Sequence, residues 1–440
     1  MEKERTSSNR TLSKIADIWS VYTNELRRVF HDKGVVTIFF VAGLIYPLLY
    51  PLIYYHEAVE DIPIAVVDRC DTQHSREYMR KLDATREVNV AYHCMSLQEA
   101  EQLYHQHKCH GVIYIPDDFE YQIETVGGQA VVSVYCDMSS FLYYKALVQA
   151  SNFVMLDEHH AIQVKRYELL GNDKAMAETL AQPLRYESVM LYNPGGGYPS
   201  FLLPAILILI LFQTMFFGIC MLAGVTREQN GELYLINGSS EETSTFRLVL
   251  GRGLAYFTIY LAITVYVVGL VPRIFGLPHI GDFFDLLRFM VPFLLATAFY
   301  SMTVSVFIRE RETAMVVLLF SSVVLLFLSG CSWPTSNMPA FWRLSAKLFP
   351  STYGINGYIH INSCGASLFE TRHEYIALWI QALCYLVAAC VSYKLSGWIY
   401  TQGSKRKEQQ AERIDRLEER FGANRNGQLT MTNDFDDDNK

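Results

Sequence analysis

From Tyr198 to Gly224 the chain reads YPSFLLPAILILILFQTMFFGICMLAG, without a charged residue and long enough to cross a bilayer, which takes about 20 apolar residues. Past Val225 it runs straight into TREQNGELYLINGSS, so a polar, glutamate-bearing loop over 226–245 follows the span directly. A second long apolar run follows the loop. A span that carries a short helical loop to one membrane face and then returns is suited to receive force from a partner on that face. The whole chain has 440 residues.

The apolar residues gather into six long blocks: Val35–Tyr54, Tyr198–Gly224, Leu254–Pro272, Phe289–Phe307, Ala314–Leu328 and Ile376–Tyr400. Each can span, the fifth with the help of Ser329 and Gly330. A buried helix of a large soluble core could account for one such block, but not for six almost free of charge. Barrel strands alternate in character and run only about 10 residues, so these continuous runs predict helices. No small-residue cleavage site follows the first block, which therefore reads as a retained anchor.

Lys and Arg near the span ends set the orientation. Lys3, Arg5, Arg10, Lys14, Arg27, Arg28 and Lys33 precede the first block. Arg227, Arg247, Arg252, Arg309 and Arg311 follow the second and fourth, and Lys405, Arg406 and Lys407 follow the last. Six crossings put all of them on one side. The expectation is an inner-membrane protein with both termini cytoplasmic and 57–197 extracytoplasmic.

Residues 1–34 hold an amphipathic helix. Leu12, Ile15, Trp19, Tyr22, Leu26 and Val29 form one face, with Lys14, Asp17, Asn24, Arg27 and Arg28 opposite, a pattern that suits the headgroup plane or packing on other protein. Residues 35–56 are the first span, where Pro47 and Pro51 predict a kink in the outer half. Within 57–197, the strand-like runs PIAVVD, VNVAYH, GVIYIP and VVSVYCD are interleaved with helical patterns at 74–82 and 97–105. A long helix from Phe141 to Tyr167 follows them. This alternation predicts an α/β domain with a largely parallel sheet.

Residues 198–400 hold the other five spans, with cytoplasmic loops 225–252 and 308–313 and an outer loop 329–375. That outer loop is broken by Pro334, Pro339 and Pro350, and Phe341, Trp342, Leu344, Leu348 and Phe349 suit a short amphipathic helix on the outer surface. Residues 401–440 read as a charged helix and an acidic disordered tail. The fold class expected is an α-helical polytopic membrane protein of six transmembrane helices with an inserted extracytoplasmic α/β domain.

The six blocks contain no Asp or Glu, and their one Lys, Lys394, lies near an end. Proton- and sodium-driven carriers usually need ionisable groups within the membrane. No G-x-x-x-x-G-K-[ST] loop is present to cradle a nucleotide. An ATPase on a separate chain satisfies both facts, with ATP bound there and no cofactor in this chain. No nucleophile elbow or paired-carboxylate signature points to an enzyme, and nothing suggests nucleic acid.

For the contact with that ATPase the candidates are Arg227, Glu228, Gly231, Glu232 and Leu233. Glu at a helix start is favoured by the dipole, and a short helix with apolar anchors can dock in a partner's groove. The alternative is a solvated loop held only by charge. His105, His107, Cys109 and His110 in HQHKCH offer imidazole and thiol ligands for zinc or copper. A polar turn, with His on the favourable side of a helix C-terminus, is the reading adopted, so no metal is expected. Cys70 and Cys94 each follow a strand, at one end of a parallel sheet, while Cys109 precedes its strand. Cys70–Cys94 is therefore the preferred bridge of the domain, and Cys331–Cys364 can form across the outer loop; free thiols are the alternative.

These features together resemble the ABC-2 type permease family, in its form with a large extracytoplasmic domain after the first span. The resemblance covers Ile15 to Tyr400. PIAVVDRCDTQHSREYMRKLDATREVNV, with Asp71 and Ser75, is similar to the family's first strand and helix, and GVIYIPDDFE to a later strand and turn. TREQNGELYL is similar to its cytoplasmic loop, carried by Arg227, Glu228, Gly231 and Glu232. WPTSNMPAFWRLSAKLFPSTYGINGY is similar to its proline-rich outer segment, carried by Pro334, Met338, Pro339, Trp342, Pro350 and Tyr353. The resemblance implies an exporter permease, set in membrane lipid, that moves a hydrophobic or amphipathic substrate (a drug, a lipid or a lipid-linked molecule) outward using ATP hydrolysed by a separate subunit. It also implies a second permease copy, as homodimer or close paralogue, a cytoplasmic ATP-binding subunit, and a periplasmic adaptor with an outer-membrane channel. The rival readings are a membrane scaffold or sensor with an extracytoplasmic binding domain, and a secondary carrier.

Overall fold

The computed structural model of the protein describes residues 2–54, 59–125, 127–184, 189, 191–193, 196–230 and 244–421. Two compact units emerge, one made of Met1–Ile53 with Pro199–Lys440 and the other of Tyr54–Tyr198.

In the first unit, helix α1 (Glu2–His31) packs along the third span through the buried Val21 and Val29. Its stripe Ile15, Trp19 and Phe30 remains exposed. The amphipathic helix thus has two apolar faces, one on protein and one left open, which suits an interfacial position. Among the described residues six helices are long and apolar enough to cross a membrane: Lys33–Ile53, Tyr198–Asn230, Thr245–Ile274, Phe283–Ser305, Arg311–Leu328 and the part Arg372–Ile399 of the helix Arg372–Phe421. These are the first to sixth spans below. The chain is a helical multi-pass membrane protein, as its apolar blocks predict.

The second span is the centre of this unit. Of its most apolar stretch 94% is buried, against 17% for the fifth span and 22% for the first and sixth. A helix with no polar stripe can be enclosed by neighbours on every side, and here Phe212 and Phe216 meet Tyr300 of the fourth span at ring-centroid distances of 5.8 and 5.7 Å. In the first span Pro47 and Pro51 lie inside the helix Gly43–Ile53; the irregular turn comes earlier, as a π-helical segment Thr37–Ala42. The third span has a similar segment, Val265–Leu270, from which the Tyr266 hydroxyl donates to the Leu44 carbonyl of the first span at 3.0 Å. The third span also starts at Thr245, not at Leu254 where the charge-free run begins. Arg247 and Arg252, read from the sequence as loop charges, therefore stand on the helix. Arg and Leu are good helix formers, so helix continues where the apolar pattern stops.

In the second unit four strands, β1 (Ile62–Asp68), β2 (Val88–His93), β3 (Gly111–Ile115) and β4 (Ser133–Cys136), form one sheet in the order β2-β1-β3-β4. β1 is parallel to β2 and β3, and β4 is antiparallel to β3. Central β1 is covered on both faces, which explains its near-continuous apolar sequence. Ile62, Ile64, Val66, Ile113 and Ile115 pack with α2 (Gln73–Asp83) and α5 (Phe141–Leu169); Ala65, Val67 and Val112 pack with Ala100 of α3 (Leu97–His105). The chain goes outward from β1 to β2, then back across β1 to β3. With right-handed crossovers, this puts α2 and α3 on opposite faces. Between β3 and β4 lies the short helix α4 (Phe119–Glu124).

The faces also decide the cysteines. Cys94 and Cys109 are both buried in the cluster under α3, while Cys70 packs with the other cluster. The preference for Cys70–Cys94 rested on strand ends and left the sheet's two faces out. All nine cysteines are free in the structure.

Segment 329–375 is more than a loop. α6 (Ala340–Ala346) leaves Phe341, Trp342 and Leu344 exposed, but α7 (Pro350–Asn362) is a largely buried helix that the proline pattern concealed. A Cβ on Gly354 would stand 2.4 Å from the Phe293 ring, and one on Gly357 2.1 Å from that of Phe289. The glycines let two aromatic rings of the fourth span close on the helix backbone, as small residues do between membrane helices.

Candidate coupling site at the end of the second span

At 1.5 Å per residue a helix as long as Tyr198–Asn230 exceeds the roughly 30 Å hydrocarbon core, so its last turns lie beyond it. Arg227 and Glu228 stand on those turns. Arg227 is buried, and its Nη1 donates to the carbonyls of Val306 at 2.8 Å, Ser305 at 3.3 Å and Ile308. The last carbonyls of a helix have no partner within it, and the dipole makes that end negative. The guanidinium therefore serves as the cap of the fourth span.

Glu228 does the reverse. Its Oε1 accepts from the backbone N–H of Arg311, the first residue of the fifth span, at 2.8 Å. That N–H is unpartnered within its helix and lies at the positive end. Adjacent residues on a helix point about 100° apart, so one Arg-Glu pair reaches two helix ends at once. A Cβ at Gly224 would come within 2.8 Å of the Glu310 backbone, and its absence lets the 306–310 connection lie against the second span. Gly231, Glu232 and Leu233 lie outside the described residues.

Beside this joint, α1 is locked to the spans by ion pairs that join its polar face, expected at the headgroups, to arginines expected in a loop. Asp17 pairs with Arg247. Glu25 is buried, accepts from the Tyr256 hydroxyl, and stands 3.4 Å from Arg252 Nε and 3.5 Å from Arg28 Nη1. Arg252, buried too, lies over the Tyr393 ring of the sixth span, 5.7 Å from its centroid. Glu25 thus ties α1 to the third span, and Arg252 ties the third span to the sixth. The legible signal was the four-residue spacing Val21, Glu25, Val29, which sets a carboxylate in the middle of a packed stripe.

The histidine run of the α/β unit does not converge. His105 ends α3 and is exposed, and His107 occupies a turn at φ +56°. Cys109 is buried in the core, and His110 packs its ring 4.3 Å from that of Tyr143. Among the described residues no three His, Cys, Asp or Glu side chains group as metal ligands. Asp157 and Glu158 hold Lys81 of α2 at 2.8 and 2.9 Å, an internal brace of the unit.

Residues 33–391 match a family model described as ABC-2 family transporter protein. Two relatives, each described as probable multidrug ABC transporter permease YbhS, come from Escherichia coli strain K12 and from Escherichia coli O157:H7. Each is 23% identical over 297 residues, covering 67% of this chain and 73% of the relative. Every residue of the joint lies within the range matched by the family model.

Proposed function

Since the chain belongs to the ABC-2 transporter family, a family of ABC permeases that work with an ATP-binding partner, we propose that it is the membrane half of an exporter. ATP hydrolysed on a separate cytoplasmic subunit drives two permease copies, and a hydrophobic or amphipathic substrate moves outward along their interface. In this reading both termini and the Arg227–Glu228 joint are cytoplasmic, in the inner membrane, and the α/β unit lies outside, where an adaptor and outer channel can reach it. The multidrug designation of the relatives makes drug-like amphiphiles the first substrates to try.

The observation that carries the coupling proposal is the joint itself. Arg227 caps the end of the fourth span and Glu228 the start of the fifth, so displacement of the loop after the second span moves three spans together. A push from the partner on Arg227, Glu228, Gly231, Glu232 and Leu233 is thereby delivered to the fourth and fifth spans. The test is co-purification from the native membrane, then ATPase activity and transport with Glu228→Ala and Glu232→Ala. We expect a nucleotide-binding chain to accompany the permease, and its substrate-stimulated hydrolysis to lose coupling in the variants. Recovery of no such chain under gentle extraction refutes the assignment; unchanged coupling in both variants refutes the role given to the loop.

A further inference from the structure

Where α1 ends and the first span begins, the chain turns at Asp32, and a cavity of about 1010 Å³ opens at that elbow. Its lining comes from three parts of the first unit: Arg27, Arg28, His31 and Lys33 from the elbow, Thr226 and Gln229 from the end of the second span, and Arg311 from the start of the fifth. The cavity thus gathers four permanent cations against one carboxylate, that of Asp32, which already accepts from the Val35 N–H at 2.9 Å as the cap of the first span. Among the described residues the ion pairs at this end engage Glu25 and Asp17, and none involves Arg27, Lys33 or Arg311. The Arg311 guanidinium lies directly against Gly34 at the elbow.

The other wall is apolar, formed by Leu26, Phe30, Leu222 and Val225. Phe30 stacks on Phe40 of the first span at 5.5 Å and is exposed, as are Ile15 and Trp19 further along α1. Exposed aromatic residues on an amphipathic helix at the foot of a span belong at the level of the headgroups.

We propose that this cavity binds the phosphate headgroup of an anionic phospholipid, from the leaflet on the side of the chain's ends, with its acyl chains along the Leu26–Phe30–Leu222–Val225 wall. Basic pockets between membrane helices recognise such headgroups by charge, and Arg forks match phosphate oxygens. A free phosphate has no use for the apolar wall. The phosphate bridges α1, the second span and the fifth span next to the Glu228–Arg311 contact, so an occupied cavity stiffens the joint and an empty one leaves like charges facing each other. The inference rests on the membrane position of α1 and not on the pairing with an ATPase.

The experiment uses the full chain, purified in detergent, stripped of lipid and examined by native mass spectrometry with phosphatidylglycerol or phosphatidylcholine of the same acyl chains. Inorganic phosphate serves as the free-anion probe. Phosphatidylglycerol should be retained about tenfold over phosphatidylcholine, and each cavity charge removed should weaken its retention about fivefold, the scale for one basic residue at an anionic surface. Retention of phosphatidylcholine should not change. The variants are Arg311→Gln and the pair Arg27→Gln with Lys33→Gln; the pair changes exposed side chains and carries the test if Arg311→Gln does not fold. Arg343→Gln, an exposed cation at α6, is the control. Equal retention of the two lipids, or retention indifferent to the cavity variants, overturns the proposal. So does displacement of phosphatidylglycerol by millimolar inorganic phosphate, which marks a free-anion site. Loss of a protein partner from the variants with lipid retention intact overturns it as well, by assigning the cations to that partner.

Discussion

At the scale of single residues, buried charge decides most. Glu25 and Arg252 are both enclosed, and removing one partner of such a pair leaves an uncompensated charge in a medium that solvates it poorly. We expect Glu25→Gln to lower stability in detergent by about 3–5 kcal/mol, and Glu25→Leu with Arg252→Met to recover most of that loss. A double variant as unstable as the two single changes combined would show that the residues act separately. In the α/β unit, the Glu120 carboxyl lies 2.6 Å from His74 Nδ1. Burial alone would push its pKa up, but hydrogen bonds from His74 and Thr72 outweigh burial and hold it below the ordinary 4.5. A depressed carboxylate pKa adds stability that is complete above the unfolded value and is lost as pH falls through the lower folded one. The unit should therefore weaken as pH drops below about 4.5, and His74→Gln should shallow that dependence in a thermal-unfolding series. A variant with the same pH profile as the parent would discount the pair. Glu25 shows why residues like these escape a reading of the sequence. Its meaning depends on Arg252, far along the chain, and on the helix face that happens to be covered.

At the scale of elements, close approach between helices matters more than hydrophobicity, because lipid is as apolar as the side chains it surrounds. α7 is the clearest case. Its glycines receive Phe289 and Phe293, so Gly357→Ala puts a methyl group where a ring now lies, and we expect a cost of about 1–3 kcal/mol from overpacking, read as a lower melting temperature. An unchanged melting temperature would mean that α7 is not packed against the fourth span. The sequence announced the prolines around this element but not its burial. Pro350 at its first turn starts a helix as readily as it breaks one, and only contact with the fourth span favours the helix. The sheet was more legible. The parallel order of β1, β2 and β3 followed from the alternation of strand and helix, whereas the assignment of cysteines to opposite faces needed the crossover path.

At the scale of the whole molecule, the spans divide by burial. The second is enclosed, whereas the fifth and sixth keep broad apolar faces, with Leu319, Phe320 and Val323 on one and Ile380, Leu383 and Val387 on the other. Such faces are as apolar as the lipid tails of a bilayer. The orientation we propose has a direct check. In a background whose native cysteines are replaced by serine, a membrane-impermeant maleimide added to intact cells should label Glu168→Cys in the α/β unit, while a cysteine-bearing tag at either terminus should stay protected until the membrane is opened. Labelling of the tags in intact cells would reverse the topology and take the partner-facing role from the Arg227–Glu228 joint.

What the sequence determined by itself was the count and type of the membrane-crossing elements, the inserted α/β unit and the central place of the stretch from Tyr198. Each is a property of local pattern: the length of an apolar run, its lack of charge, or the period of its alternation. The tertiary structure alone decided that Arg227 and Glu228 cap two other helices, that Glu25 is paired with Arg252, that α7 is buried, and that four cations share one cavity with Asp32. Those facts depend on which faces meet across long separations in sequence. Residue pattern leaves such meetings open, because an arginine at a helix end looks the same in a loop, a cap or a cavity until its neighbour is in place.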